Sequence, residues 1–355
     1  MFCFANNLVQ SDMERVARQV KSLGFLKGKT VLITGATGLL ATYCTFFLHY
    51  LNVTAGYGIK IIALVRNREK ALARFSGFEN DPDFSILVQD ITQPLCLPQA
   101  CDYILHMAGS ASAYAITHDP VGIVMANVLG TKNVLDYASR VPGCRVFFSS
   151  TREVYGKMPG NVTCIQEEMN GVLEQMQARS CYPESKKMAE NLLAVYHKQY
   201  GCDFVNARIA HAYGPGMAFE KDGRVMADLL NDGLSGRDIT LNSNGLMYRS
   251  FCYVSDCIAA VFLVLLNGTS GETYNIANET EEISIRELAL LIADSVPEKH
   301  LKVTYREATE EEKQGYLKIE RVRLATGKVE QLGWRPLVSL KEGIRQTLDV
   351  GKSKQ

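Results

Sequence analysis

Tyr182 and Lys186 stand four apart in CYPESKKMAENL, so on a helix they share one face with the lysine one turn beyond the tyrosine. An ammonium beside a phenol stabilises phenolate and draws its pKa from ~10 towards neutrality, which suits a general base that removes a hydroxyl proton. Tyrosine and lysine at this spacing also occur on exposed helices, so the pair gains meaning from its surroundings. Upstream, Ser149, Ser150 and Thr151 end the apolar run RVFFSST, and Thr151 is placed to hydrogen-bond a reacting hydroxyl.

A second chemical signal lies near the N-terminus, where TVLIT runs directly into Gly35, Ala36, Thr37, Gly38, Leu39, Leu40 and Ala41. Gly35 permits a tight turn, Gly38 lets the backbone approach a pyrophosphate, and Ala41 allows close helix–strand packing at a helix N-terminus that attracts phosphate. A dinucleotide site is expected here. The next strand, IIALVRNRE, ends in Arg66 where an acidic residue for the adenosine ribose would stand. Arginine at that place can accommodate a 2'-phosphate and so leans towards NADP, while a solvated surface arginine is the competing reading. By topology Asp90 and Ile91, ending the third strand, flank the adenine. Ala108 and Gly109, in HMAGSAS, lie beneath the cofactor.

These groups need a scaffold. Short apolar runs alternate with helical stretches for over a hundred residues, which argues an α/β fold built on a Rossmann-type, doubly wound parallel sheet. The spacing of Met13, Val16, Val20 and Leu23 predicts a helix over 11–26, capped by Ser11 and Asp12 and serving packing. Further helices are expected from Val124 to Ala138 and from about Pro183 to Gln199. The expected organisation is an N-terminal helical extension at 1–28 and a dinucleotide-binding domain at 29–210. A smaller, mostly substrate-binding α/β cap at 211–355 returns some segments to the first domain. No repeat or linker separates the parts.

The chain resembles the extended short-chain dehydrogenases through GATGLLA, HMAGSAS, NVLGTKNVL, FFSSTREVYG, CYPESK, ARIAHAYGP, RSFCYVSD, YNIAN and LGW, from about Lys29 to Trp334. Within that family it is most similar to UDP-glucuronate decarboxylases, with dTDP-glucose 4,6-dehydratases and UDP-sugar 4-epimerases more distant. The resemblance implies bound NAD, transient oxidation of a nucleotide sugar at C4 by Tyr182, and a 4-keto intermediate. It adds Asn127 and Ser149 to the cofactor site and Ser110 and Ser112 to the substrate site. It also implies a homodimer joined through the helices carrying Asn127 and Tyr182.

Within the resemblance, Glu153 is the informative residue. Epimerases lack a glutamate there, dehydratases carry Asp-Glu after the threonine, and decarboxylases carry Ser-Glu; this chain has Thr151-Arg152-Glu153. Elimination chemistry is thus disfavoured. Arg249 or Arg152 could grip a substrate carboxylate bidentately, and a C5 carboxylate beside a 4-keto group is a β-keto acid. Departures from the decarboxylase pattern fall at Ser110, His211 and Gly216, in place of proline, asparagine and arginine.

Asp222, Gly223 and Arg224 read as a loop that clamps a nucleotide diphosphate, with Arg321 also in reach, although each arginine alone reads equally as a structural ion pair. His211 reads first as structural and second as a substrate contact, Asp256 as a helix cap, and Trp334 as packing. The alternatives in chemistry are a 4-epimerase, a 4,6-dehydratase or an NADP-dependent 4-keto reductase. A catalytically silent nucleotide-sugar sensor is the alternative in kind.

Composition agrees with a small-molecule enzyme. With 38 basic against 38 acidic residues and 47% apolar, nothing favours nucleic acid or an acidic membrane face. Ten scattered cysteines without a CxxC pair imply reduced thiols and no metal site, and no apolar stretch has the length of a membrane span. A cytoplasmic enzyme is expected.

Overall fold

The strands that carry the glycine loop and its neighbours are buried almost throughout, as a parallel sheet covered by helices on both faces requires. In this computed structural model, residues 2–220, 222–307, 309 and 323–352 are described. Helix α1 (Asn7–Gln19) precedes β1 (Thr30–Thr34), α2 (Leu39–Ala55), β2 (Lys60–Val65), α3 (Arg68–Arg74), β3 (Phe84–Val88) and β4 (Tyr103–His106). Then come α4 (Ala113–His118), α5 (Pro120–Ala138), β5 (Arg145–Thr151), β6 (Cys164–Ile165), α6 (Cys181–Tyr200) and β7 (Asp203–Ile209).

After β7 the elements shorten: β8 (Ala212–Tyr213), α7 (Val225–Ser235), β9 (Ile239–Leu241), β10 (Tyr248–Ser250) and β11 (Cys252–Tyr253). Helix α8 (Val254–Asn267) and β12 (Thr273–Ile276) return to the central sheet, whose order is β12-β7-β5-β4-β1-β2-β3 with every pair parallel. Outside it, β10 pairs with β13 (Glu282–Ser284), β9 with β14 (Val303–Tyr305), β11 with β8, and β6 with β15 (Arg323–Leu324). The doubly wound Rossmann-type fold expected from the alternating pattern is therefore present. Among the described residues, no helix is long and apolar enough to cross a membrane.

The N-terminal helix differs from its expectation. It begins at Asn7, capped by Asn6, whose side chain accepts from Leu8 N, so Ser11 and Asp12 lie inside it. Asp12 points inward instead of capping. It is fully buried, pairs with Arg15 at 3.0 Å, and accepts from the hydroxyls of Tyr43 on α2 (3.3 Å) and Tyr253 on β11 (3.1 Å). Arg15 also reaches Glu342 at 3.3 Å on the C-terminal helix Leu340–Lys352. Asp256 differs as well: it accepts from the backbone of Leu337 (3.0 Å) and Val338 (3.1 Å), anchoring the C-terminal segment instead of capping α8. Trp334 packs as expected, buried, with its indole N–H donating to Asp256 O at 2.8 Å.

Burial pushes the Asp12 carboxyl up to about 7, against the opposing pull of Arg15 and the hydroxyls. A carboxyl raised in the folded state stabilises most when protonated; that contribution is complete below the unfolded pKa of ~4 and is lost as pH rises through about 7. Asp12→Asn should therefore lose less stability than the wild type between ~pH 3 and ~pH 8, by on the order of 4 kcal/mol, in paired urea melts.

Candidate active site

The chain crosses over between β1 and β4, and the loops leaving their C-terminal ends face each other there, the place where open α/β sheets bind ligands. Thr34 Oγ1 lies 2.8 Å from His106 Nδ1 and accepts from the backbone of Met107 and Ala108, both at 3.1 Å. Gly35 turns away at φ 64°, and a Cβ on it would sit 2.9 Å from Ala108 Cα. Gly38 is the N-cap of α2 and makes no side-chain hydrogen bond, leaving the helix N-terminus to backbone N–H groups, with Thr37, Leu39 and Leu40 beside it. That is a cradle for phosphate.

Tyr182 and Lys186 do share one face of α6, both buried. The expected lowering of the phenol by the lysine is not what the geometry gives. Burial, then the charge of Glu153, push Tyr182 well above its ordinary value, while the hydroxyl of Thr151, Arg224 and Arg179 pull the other way. Lys186 Nζ turns instead to Ser149 O at 2.8 Å and over the Phe148 ring at 4.6 Å, and burial brings it down to about 8. The Thr151 hydroxyl favours ionisation of the phenol and also accepts from Glu153 N at 3.3 Å.

Next to Lys186 the site holds a buried polar oxygen that makes no hydrogen bond among the described residues. Asn127 donates through Nδ2 to Ser185 Oγ at 2.9 Å, while its Oδ1 is buried with no hydrogen-bond partner among the described residues. A Cβ on Gly109, at φ 126°, would come within 2.3 Å of that oxygen and 3.6 Å of Lys186 Nζ. With the Gly35 turn and the α2 N-terminus, these residues fit a dinucleotide. Asp90 is exposed and accepts from Thr92 N and Oγ1, and the charge of Arg66 helps hold it below the usual carboxylate range. Ile91 is buried under α5, where Asn133 donates to its carbonyl at 2.9 Å.

On the other side of Tyr182 the cationic groups converge. Arg152 Nη1 lies 3.3 Å from His211 Nε2, and burial together with Arg152, Arg249 and Arg224 keeps that imidazole neutral, well below its usual pKa. His211 sits at φ 45°, a conformation that asparagine and histidine tolerate better than most residues. Two departures from the decarboxylase pattern, at 152 and 211, thus touch one another. Arg249 donates to Tyr248 O at 2.8 Å, and burial and the Arg152 charge bring it down to about 10. Arg224 forks onto Asp222 at 2.6 and 2.8 Å.

Ser112 has a structural place: it caps α4 by accepting from Ala115 N and donates to Asp222 O at 3.1 Å. Ser110 accepts from Ser112 N at 3.3 Å. Arg66 stands exposed at the end of β2, apart from the catalytic groups, and Arg321 lies outside the described residues. Arg179 was missed by the sequence reading. It reaches both oxygens of Glu153, at 3.2 and 3.0 Å, from the turn just before α6, and no motif marks that irregular stretch. Among the described residues no three His, Cys, Asp or Glu side chains converge as a metal site.

The sequence model of the NAD dependent epimerase/dehydratase family matches residues 31–277. The chain belongs to this family. Among relatives, UDP-glucuronic acid decarboxylase 6 of Arabidopsis thaliana is 35% identical over 264 residues, 74% of this chain and 73% of the relative. UDP-glucuronic acid decarboxylase 1 of Xenopus tropicalis is 31% identical over 330 residues, 93% of this chain and 73% of the relative. Solved structures share the fold. A UDP-N-acetylglucosamine 4-epimerase from Methanobrevibacter ruminantium, in complex with UDP-N-acetylmuramic acid, has a TM-score of 0.78 at 20% identity, covering 93% of this chain and 100% of its own. The dTDP-glucose 4,6-dehydratase DesIV of Streptomyces venezuelae, solved with NAD bound, has a TM-score of 0.76 at 24% identity, covering 91% and 97%.

In this family member, Gly109→Ala should weaken NAD binding at least ~10-fold in calorimetric titration, because the added methyl is both strained at positive φ and driven onto Asn127.

Proposed function

We propose that this protein, an NAD-dependent nucleotide-sugar-modifying enzyme, decarboxylates a UDP-linked hexuronic acid. The observation that carries this reading is the pair of guanidinium groups beside Glu153, buried Arg152 and half-buried Arg249, the first close enough for its charge to act on the second. Burial lowers Arg152 against the pull of Glu279, Glu153 and Glu282, and burial followed by the Arg152 charge lowers Arg249. A substrate carboxylate placed between them relieves that repulsion and is held bidentately. The relatives named as UDP-glucuronic acid decarboxylases support the same substrate class.

Gly35, Thr37, Gly38, Leu39, Leu40, Asp90, Ile91, Ala108, Gly109, Asn127, Ser149 and Lys186 would hold the dinucleotide, which would supply a reversible hydride acceptor for C4 of the sugar. Thr151 orients the C4 hydroxyl and Tyr182 takes its proton, with Lys186 fixed on the Ser149 carbonyl beneath. Loss of proton and hydride leaves a ketone at C4. Arg249 and Arg152 fix the C5 carboxylate until its bond to C5 breaks; carbon dioxide leaves and the electron pair passes into the C4 enolate. Protonation at C5, and return of the proton from Tyr182 to the C4 oxygen once C4 is again reduced, would complete a pentose product, with Glu153 beside the ring.

Two further points belong to the proposal. The outward faces of α5 and α6 expose Val121, Met125, Leu129, Met188 and Val195, an apolar stripe suited to pairing two copies across a four-helix contact. Met125→Glu should convert a dimer to a monomer in light scattering; an unchanged mass would remove these helices from the interface. All ten cysteines are free, in keeping with a reducing cytoplasm.

Incubation with UDP-glucuronate, followed by carbon dioxide release and product mass, tests the reaction. Tyr182→Phe should reduce turnover at least ~10³-fold. Arg249→Met should raise the KM for UDP-glucuronate ~10²-fold, by loss of charged hydrogen bonds to the carboxylate. Turnover of UDP-glucuronate by the Tyr182→Phe variant at wild-type rate would overturn the assignment. No bound NAD and a preference for NADPH would favour the reductase reading to which Arg66 points.

A further inference from the structure

The ion pair between Arg179 and Glu153 stands outside the proton and hydride transfers at C4. It joins the turn leaving β5 to the turn entering α6, so both of its carriers adjoin residues that act on the substrate: Thr151 on one side and Tyr182 on the other. Both side chains are largely shielded from solvent, at 14% and 24% exposure, where an ion pair is screened far less than on an open surface. One nitrogen of Arg179 contacts both carboxylate oxygens, which fixes the rotation of the Glu153 carboxyl.

We propose that Arg179 is a positioning residue that holds the Glu153 carboxylate beside Tyr182 and balances its charge there, so that the tyrosine can act as a base. The inference rests on the reading of Tyr182 as that base. The groups facing the phenol are few. Thr151 and Glu153 approach from the end of β5, Arg224 from before α7 with Asp222 on its guanidinium, and Arg179 from the turn before α6. Among the described residues, helices α4 and α5 pack the apolar Ala115, Ile116 and Ile123 against Tyr182, and Lys186 on α6 is turned to the Ser149 carbonyl. Glu153 opposes ionisation of the phenol and Arg179 favours it. Removal of Arg179 leaves an unopposed negative charge next to a group that must itself become negative.

The test is the pH dependence of reduced nicotinamide formation in single turnovers of the holoenzyme, read by its near-ultraviolet absorbance, with UDP-glucuronate, UDP-galacturonate and UDP-glucose as probes. In Arg179→Gln the midpoint of the acid limb should move up by about one unit, because more alkali is needed to ionise Tyr182, with a rate near neutrality ~10-fold lower. KM should change by less than ~3-fold, since Arg179 does not hold the substrate. Arg179→Lys should restore the midpoint, and the double variant Glu153→Gln with Arg179→Gln should bring it back towards the wild type, although its rate stays low.

A uniform fall in rate at every pH would overturn the proposal in favour of a merely structural pair, as would an equal shift in the double variant. Signal from wild type with UDP-glucose but not with the uronates would overturn the decarboxylase reading and leave the shift in midpoint to decide the role of Arg179. Silence with all three sugars would overturn both.

Discussion

A single buried hydroxyl, Thr34 at the end of β1, ties together the two strands between which the chain changes direction. It accepts from two successive backbone N–H groups of the 107–109 loop and contacts His106, which Thr131 contacts from the other side at 3.1 Å. Burial keeps this imidazole neutral, with a pKa near 3. The bonds bring the Gly35 turn against Ala108 with no space for a side chain between them. Gly109, Asn127 and Lys186 then fall into place above, since the loop sets Gly109, and β5, registered on β4, sets the Ser149 carbonyl that holds Lys186.

Much of this was legible in the sequence because it is written in local periods. Buried parallel strands are short unbroken apolar runs, so β1, β2 and β5 could be placed to within a residue or two, and the glycine loop located the cofactor end. Tyr182 and Lys186 were paired by helical spacing alone. What spacing could not give was direction. Lys186 shares a face with Tyr182 but points its ammonium at a carbonyl, and both groups are desolvated, so the electrostatics of the phenol comes from residues outside α6.

The same limit explains the other differences. Ser11 and Asp12 look like a helix start because capping chemistry is local, yet Asp12 finds its partners on α2 and β11, and no one-dimensional pattern announces that. Asp256 follows the same rule with the backbone at 337 and 338. Arg179 lies in a stretch with neither helical nor strand periodicity, and only the fold reveals that it meets Glu153. The contact between Arg152 and His211 likewise joins two positions that each looked like an isolated departure.

The residues recognised by the family model begin at 31, but the physical unit does not. Phe2, Val9, Met13, Val16 and Val20 belong to the same apolar cluster as Phe46, Phe262 and Leu348, and Asp12 is the knot where the first helix, α2, β11 and, through Arg15, the last helix meet. A chain trimmed to its recognisable span would bare an oily flank and leave the Tyr43 and Tyr253 hydroxyls buried without their acceptor. Ancestry and autonomy therefore have different borders in this molecule: the portion that can be inherited as a family hallmark is smaller than the portion that can stand alone in water.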